Sequence, residues 1–372
     1  MVHLLLVNDH HRYTGIGKYW LELYKNLPNH LPEDWVRTGL MQNMGENYSP
    51  SEPEINVQFR PKWCKQVSFG KWHNINSYYY YPRKIPDTHS LYHISSQMMG
   101  QSAQHVTPAI VTCHDLIAFE NADHLNKIKQ WIQRKHLKAL RHASGLIFIS
   151  EHSKKTFLEH FDYPEERTAV IYHGTSNLFH PRDKKACRAE LNLPEKIPII
   201  IAVGSESKRK NLPVTLQVIK KLRAAFPELL LLRVGDQSRF SREYLKENML
   251  EENVQYRKNV PEETLAKYYN AADLLIFPSW YEGFGLPVVE AMSSGLPVVA
   301  SNVTSIPEIV NDDRQLHEPD NVDAFAATAE KILSDNEYYN ALSEHNLKQA
   351  VHFTWDNVAR QTVAFYRKIL GE

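Results

Sequence analysis

The chain has 372 residues, 42% hydrophobic and 23% charged. That is an ordinary globular mix, which excludes a disordered chain and, at roughly 100–200 residues per domain, suggests two domains. The 43 Lys and Arg balance 43 Asp and Glu, so whole-chain charge gives no reason to expect nucleic acid as a partner. Cys64, Cys113 and Cys187 form no CxxC or Cys/His cluster, which argues against a zinc site or a disulfide framework and fits a reducing compartment.

The first residues lack a basic n-region, and the apolar run meets Asp9 at once. His3–Val7 therefore reads as a buried strand rather than a signal peptide. No run approaches the roughly 18–20 apolar residues of a membrane span, so a cytoplasmic location is expected. A helix over Tyr19–Leu27 follows. Further strands are predicted at Ile110–Thr112, ending in His114-Asp115, at Gly145–Ile149, and at Thr168–Tyr172, ending in His173-Gly174. Ser153 is the expected cap of the helix after Ser150. The polar stretch Pro181–Glu195 then breaks the rhythm. A second series begins with the apolar strand Ile197–Val203 and the helical pattern Leu212–Phe226. It continues with strands at Leu229–Val234, Leu274–Phe277 and Leu296–Ala300. Strands alternating with helices imply parallel βαβ units. The predicted fold class is α/β, with two doubly wound, Rossmann-like domains facing each other: residues 1–182, residues 183–354, and an amphipathic helix from Trp355 that fills 355–372. The pattern of Trp355, Val358, Thr362, Phe365 and Ile369 leaves open which domain that helix covers.

Several glycines fall just after predicted strands: Gly15 and Gly17, Gly204, Gly235, Gly283 and Gly285. Ligands of open parallel sheets sit at the carboxyl ends of strands, and glycine lets backbone N–H groups approach a phosphate or sugar. No full GxGxxG is present, which disfavours a nicotinamide enzyme. The richest stretch runs from Pro278 to Met292. A strand leads to the loop Glu282-Gly283-Phe284-Gly285-Leu286. Pro287 then suits the first turn of a helix that ends at Gly295. Its N-terminal N–H groups form an anion-friendly pole. Glu282 on the loop and Glu290 one turn into the helix can then serve one ligand from two directions. Gly204 to Asn211 places Lys208, Arg209 and Lys210 at another strand-to-helix turn, which suits a diphosphate and the charge that grows on a leaving phosphate. His114, after a first-domain strand, is a third candidate.

Together these stretches resemble the family-4 glycosyltransferases, which have the GT-B fold. The likeness is carried by Gly15-Ile16-Gly17, Thr112–Asp115, Gly204 to Asn211, Glu282-Gly-Phe-Gly-Leu-Pro-Val-Val-Glu290, Gly295–Val299 and Ser305-Ile-Pro-Glu308, and extends to Phe353-Thr354-Trp355. It looks closest to mannosyltransferase-like members that use GDP-mannose in polysaccharide assembly. The resemblance implies a retaining, metal-independent hexosyltransferase using a nucleotide-diphosphate sugar, with a GDP-sugar favoured over a UDP-sugar, and a glycan or lipid-linked acceptor. It implies catalytic roles for Glu282 and His114 at the transferred sugar, and for Arg209 and Lys210 at the diphosphate. Substrate-binding roles fall to Gly15, Gly17, Gly283, Phe284, Gly285, Leu286 and, at the ribose, Glu290. It also implies that the last helix crosses back to the first domain. Many members carry arginine directly after the glycine matched by Gly204; here Ser205 stands there, which leaves phosphate neutralisation to Arg209 and Lys210.

No Asp-x-Asp pair appears, so neither metal nor other cofactor is expected. Arg60–Lys84 and Lys127–Arg141 each hold six Lys/Arg and no acid, with Trp63, Phe69, Trp72 and Tyr78–Tyr81 in the first. Such segments fit contact with an anionic membrane surface or plain solvated faces. The alternatives to a transferase are a nucleotide-sugar epimerase of the same build and a non-catalytic nucleotide-sugar-binding protein.

Overall fold

The computed structural model describes residues 1–10, 15–44, 55–59, 81–120 and 127–372. The chain divides into two compact units, Met1–Gly174 with Trp355–Glu372, and Thr175–Thr354. The division falls after Gly174 rather than at 182/183. The intervening segment is fastened to the second unit: Thr175 N–H donates to Phe353 O, Arg182 N–H donates to Asn270 Oδ1, and Asn270 Nδ2 donates to His180 O.

The first unit is built on a seven-stranded sheet. Its strands are β1 (Val2–Asn8), β2 (Trp35–Met44), β3 (Ile55–Phe59), β4 (Leu91–Ile94), β5 (Ala109–Cys113), β6 (Gly145–Phe148) and β7 (Thr168–Val170), ordered β3-β2-β1-β4-β5-β6-β7. All neighbours are parallel, so both faces need helical cover. One face is covered in part by the helix Gly15–Asn26 and the helix Trp355–Leu370, which share a core of Tyr19, Trp20, Leu23, Tyr24, Val358, Phe365 and Tyr366. The last helix thus packs on the first unit. A buried polar chain secures it: His93 Nδ1 lies 2.5 Å from Tyr366 Oη and His93 Nε2 lies 2.8 Å from Thr112 Oγ1.

The second unit has six parallel strands: β8 (Ile199–Val203), β9 (Leu230–Val234), β10 (Val254–Arg257), β11 (Leu274–Phe277), β12 (Val298–Ser301) and β13 (Leu316–His317). Their order is β10-β9-β8-β11-β12-β13. The order reverses between β8 and β11. Loops leaving these two strands at their carboxyl ends therefore meet at a topological switch point.

Sequence reading missed β2, β3, β4, β10 and β13. Three of these are edge strands, where solvent on one side removes the continuous apolar signal. β4 is only four residues long and carries His93 at its centre. Two local details also differ. Ser150, not Ser153, caps the helix Glu151–His160, its Oγ accepting from Ser153 N–H at 3.1 Å. Gly15 and Gly17 form the first turn of a helix that starts four residues before Tyr19 (19 − 15 = 4). Neither has a positive φ, so no strained turn calls for glycine there.

Candidate active site

The second unit gathers its chemistry at the carboxyl ends of β8 and β11. Gly204 leaves β8 at φ +131°, and Gly235 leaves β9 at φ +147°. A Cβ on Gly235 would sit 2.2 Å from Gly204 O, so the two loops pack this closely only because residue 235 is glycine. Asn211, in the left-handed region at φ 51°, turns the chain into the helix Leu212–Leu222. It is anchored by Nδ2 donating to Pro319 O at 2.7 Å. This geometry presents Lys208–Lys210 as one short turn.

The loop after β11 carries Glu282. Its backbone N–H donates to Thr304 Oγ1 at 3.1 Å. The Ser305 hydroxyl lies 3.1 Å from Glu282 O and 2.7 Å from Phe284 O. Gly285 follows at φ +115° and opens the helix Leu286–Ser293, with Pro287 in its first turn. A Cβ on Gly285 would also meet Ile306 Cδ1 at 2.6 Å. Phe284 is buried, edge-on to Phe353 at 5.8 Å, whereas Gly283 and Leu286 are half-buried. Gly295 ends the helix with φ +73°.

Glu282, Arg209 and Lys210 come together as one ion-paired group. Arg209 Nη1 donates to Glu282 Oε2 at 2.7 Å and to Tyr281 O at 2.6 Å, while Lys210 Nζ donates to Glu282 Oε1 at 2.7 Å. Trp280 N–H closes the arrangement on Arg209 O at 2.8 Å. The Glu282 side chain is only 8% exposed. Burial pushes its carboxyl upward, but the Lys210 and Arg209 charges outweigh burial and hold it below the usual carboxylate range. Glu282 is therefore a carboxylate and not a proton donor near neutrality. Burial drives the Lys210 ammonium below the usual lysine range, with Glu282 opposing and Arg209 reinforcing. Its Nζ also lies 4.7 Å from the Phe277 ring centroid. The group carries two positive charges and one negative, a net excess suited to an anion.

Glu290 is held apart from this network. It is 8% exposed, and Oε2 accepts from the Tyr269 hydroxyl at 2.9 Å. Burial and the facing carboxylate push the Tyr269 hydroxyl well above its ordinary range, so it stays a donor and fixes the Glu290 rotamer. Nothing in the sequence pattern marks Tyr269, Thr304 or Arg233 as part of this region; Glu206 and Ser305 lie within stretches that the sequence reading did note.

The remaining candidates belong to the first unit. His114 follows β5 and is 7% exposed. Its Nε2 donates to Ser95 O at 2.7 Å, and its backbone N–H donates to Gln97 Oε1 at 3.0 Å. The ring stands edge-on to Tyr19 at 4.9 Å. Burial holds the imidazole down to about 3. His114 is thus neutral, with the proton on Nε2 and with Nδ1 as an acceptor. Gly15 is exposed and Gly17 buried; a Cβ on Gly15 would meet nothing within 4 Å. Among the described residues, no group of three or more His, Cys, Asp or Glu could hold a metal ion.

Comparison with known proteins gives the family and the fold. Residues 183–349 match the model of Glycosyl transferases group 1, and residues 85–176 match Glycosyltransferase Family 4. O-antigen chain mannosyltransferase B of Escherichia coli is 31% identical over 269 residues, covering 70% of each chain. The serotype-specific mannosyltransferase WbdA of the same species is 26% identical over 275 residues; these cover 70% of this chain and 33% of WbdA. Among solved structures, sucrose-phosphate synthase from Thermosynechococcus elongatus superposes with a TM-score of 0.81 at 21% identity, each chain fully covered. WaaG, a glycosyltransferase involved in lipopolysaccharide biosynthesis, gives 0.76 at 15% identity, covering 97% of this chain and 98% of its own. These likenesses place the fold as GT-B, and with the sequence match to the E. coli mannosyltransferase they show that the chain belongs to the family-4 glycosyltransferases.

Proposed function

We propose that this glycosyltransferase moves a hexosyl group, mannose in the favoured case, from a nucleotide-diphosphate sugar to a glycan or lipid-linked glycan, with retention of the anomeric configuration and without a metal. The Glu282–Arg209–Lys210 group at the β8/β11 switch point carries the reading. Two cations and the N-terminus of the helix Leu286–Ser293 suit a diphosphate leaving group, the task a divalent ion performs elsewhere. Glu282, anionic and buried, suits the positive charge that develops at the anomeric carbon as the donor bond breaks. Glu290, its rotamer fixed by Tyr269, suits a ribose diol. Neutral His114 suits a sugar hydroxyl, which would donate to Nδ1. Gly15 and Gly17, in the first turn of the helix Gly15–Asn26, suit the border of the donor phosphates and the acceptor, as the resemblance implies. The leaving phosphate would accept the acceptor proton in a front-face displacement. The mannosyltransferase names of the E. coli relatives favour a GDP-mannose donor.

The test is incubation with GDP-mannose and a mannose-containing oligosaccharide, with and without a chelator, and NMR of the product anomer. An α-linked product of equal yield in chelator supports the reading. An inverted anomer refutes retention, and full dependence on added manganese or magnesium refutes metal independence. Conversion of donor without acceptor would point to an epimerase instead.

We also propose that the first unit rests on an anionic membrane surface. The helix Lys127–Ala139 has no acid. Lys127, Arg134, Lys135 and Lys138 are exposed, and Trp131 is 58% exposed. Lys135 Nζ lies 5.6 Å from the Trp131 ring centroid. The similar stretch Arg60–Lys84 lies mostly outside the described residues. Co-flotation with anionic vesicles at low salt is expected, and its absence ends the idea. No helix of the described residues is long and apolar enough to cross a membrane.

A further inference from the structure

β9 reads Leu-Leu-Leu-Arg-Val and is buried along its whole length. Arg233 is the one charged residue in it, only 3% exposed. A guanidinium in such a place is costly unless a counter-charge is near. Yet among the described residues Arg233 makes no ion pair within 4 Å. Glu206, an acid on the adjoining loop, acts on Arg233 only through space; its carboxylate oxygens accept from the Tyr256 hydroxyl at 2.7 Å and Ser238 N–H at 2.9 Å.

Arg233 spends its donors on main-chain carbonyls instead. Nη1 reaches Ala202 O at 3.1 Å and Val234 O at 2.8 Å. Nη2 reaches Gly204 O at 2.7 Å and Ser205 O at 3.2 Å. The last two acceptors belong to consecutive peptides of the loop that leads to Lys210. In a trans peptide the N–H points opposite to the C=O of the same unit, and the only cis bond described is Thr107–Pro108. With both carbonyls turned onto Arg233, the N–H groups of Ser205 and Glu206 face away from it. Neither makes a hydrogen bond among the described residues, and Ser205 is exposed.

We propose that Arg233 is a positioning residue for the donor diphosphate. It clamps the Gly204 and Ser205 carbonyls so that the amides of Ser205 and Glu206 form a backbone seat for a phosphate, and the bound anion adds negative charge close to a guanidinium that has no direct ion pair among the described residues. The inference rests on the nucleotide-sugar reading given above. It explains why a strand otherwise made of Leu and Val carries arginine beside Gly204 and Gly235. It also assigns phosphate recognition here to main chain as well as to Lys210 and Arg209.

The test is isothermal titration of wild type, R233M and R233K with GDP and guanosine, and with UDP and uridine. Far-UV circular dichroism checks the fold. The proposal expects R233M to lose about tenfold or more in diphosphate affinity with nucleoside affinity unchanged. R233K, which keeps charge but cannot bridge two carbonyls in a planar fork, should lose an intermediate amount. A folded R233M or R233K with the wild-type ratio of diphosphate to nucleoside affinity overturns the proposal. A second readout uses wild type alone: the amide resonances of Ser205 and Glu206 should move with the nucleoside diphosphate and not with the nucleoside. Immobility of both amides at saturation overturns the proposal even if the variants fail to fold. Wild type that binds neither diphosphates nor nucleosides removes the underlying nucleotide-sugar reading, a different failure.

Discussion

Glu282→Gln separates two tasks that a single carboxylate performs. Glu282 occupies both Arg209 and Lys210 through bonds of 2.7 Å. A diphosphate must draw the same cations. Charge-assisted hydrogen bonds of this kind are worth about 1.5–3 kcal/mol each, and glutamine keeps one acceptor while losing the charge. Removing the carboxylate should therefore release about 2 kcal/mol of competition, or roughly 30-fold tighter nucleoside-diphosphate binding. The free variant should be less stable, because a buried ammonium loses its counter-ion at a cost of about 3 kcal/mol, or roughly 6–12 °C in melting temperature for a unit of this size. Titration calorimetry with GDP and guanosine, paired with thermal melts, reads both effects. The expected pattern is a lower melting temperature, a larger ligand-induced rise, unchanged nucleoside affinity and a fall in turnover. A folded variant that binds the diphosphate more weakly than wild type refutes the reasoning, since Glu282 would then be holding the ligand rather than restraining the cations.

Lys210→Ala should lower kcat by about 10²–10³, the usual loss on removing one group that stabilises developing charge, as read by initial rates at saturating donor; less than a threefold loss would exclude the assigned role. Tyr366→Phe leaves His93 Nδ1 buried without its partner at 2.5 Å and should cost about 1–3 kcal/mol, measured by urea unfolding, with the damage confined to the first unit. The first unit should also be acid-sensitive. Burial holds His93 and His114 down to about 3 and His173 to about 4. A depressed folded pKa gives stability that is fully present above the unfolded value of about 6.5 and is lost as pH falls toward the folded values. Three such groups together imply a loss of about 3 kcal/mol between roughly pH 6.5 and 5.5, since each unfolded imidazole is already half protonated at the upper end. Calorimetric unfolding across that window checks it, and a flat profile would contradict neutral burial of these rings.

The parts of the fold that sequence pattern made legible are those governed by local chemistry. Ile199–Val203 and Leu230–Val234 are buried on both faces and announce themselves as apolar runs. Gly285 and Pro287 mark a helix start because φ +115° and a missing N–H suit those two residues and few others. Most strands that escaped, such as the two residues of Leu316–His317, are short or at an edge, and they exist because the neighbouring strand offers hydrogen bonds rather than because their own pattern demands it; the ten-residue inner strand Trp35–Met44 mixes apolar and polar residues without a continuous apolar run. The site divides in the same way. Lys210 and Glu282 stand in recognisable loops, but their mutual pairing across 72 positions of sequence depends on the β8/β11 adjacency. Tyr269 and Arg233 act from a helix and a strand interior, where residue type alone signals packing. Gly15 and Gly17 looked like turn glycines and are helical, since glycine after a strand signals a turn more readily than a helix start.

The most direct test of the donor-site assignment is a thermal-shift panel of GDP-, UDP-, ADP- and dTDP-sugars against wild type and Glu290→Ala. A ligand of the native state raises the melting temperature with its concentration relative to its dissociation constant. One nucleotide sugar, GDP-mannose by expectation, should stabilise wild type and lose most of its effect in the variant. No shift with any nucleotide sugar would contradict the assignment of Glu282, Glu290, Arg209 and Lys210 to a sugar-nucleotide site.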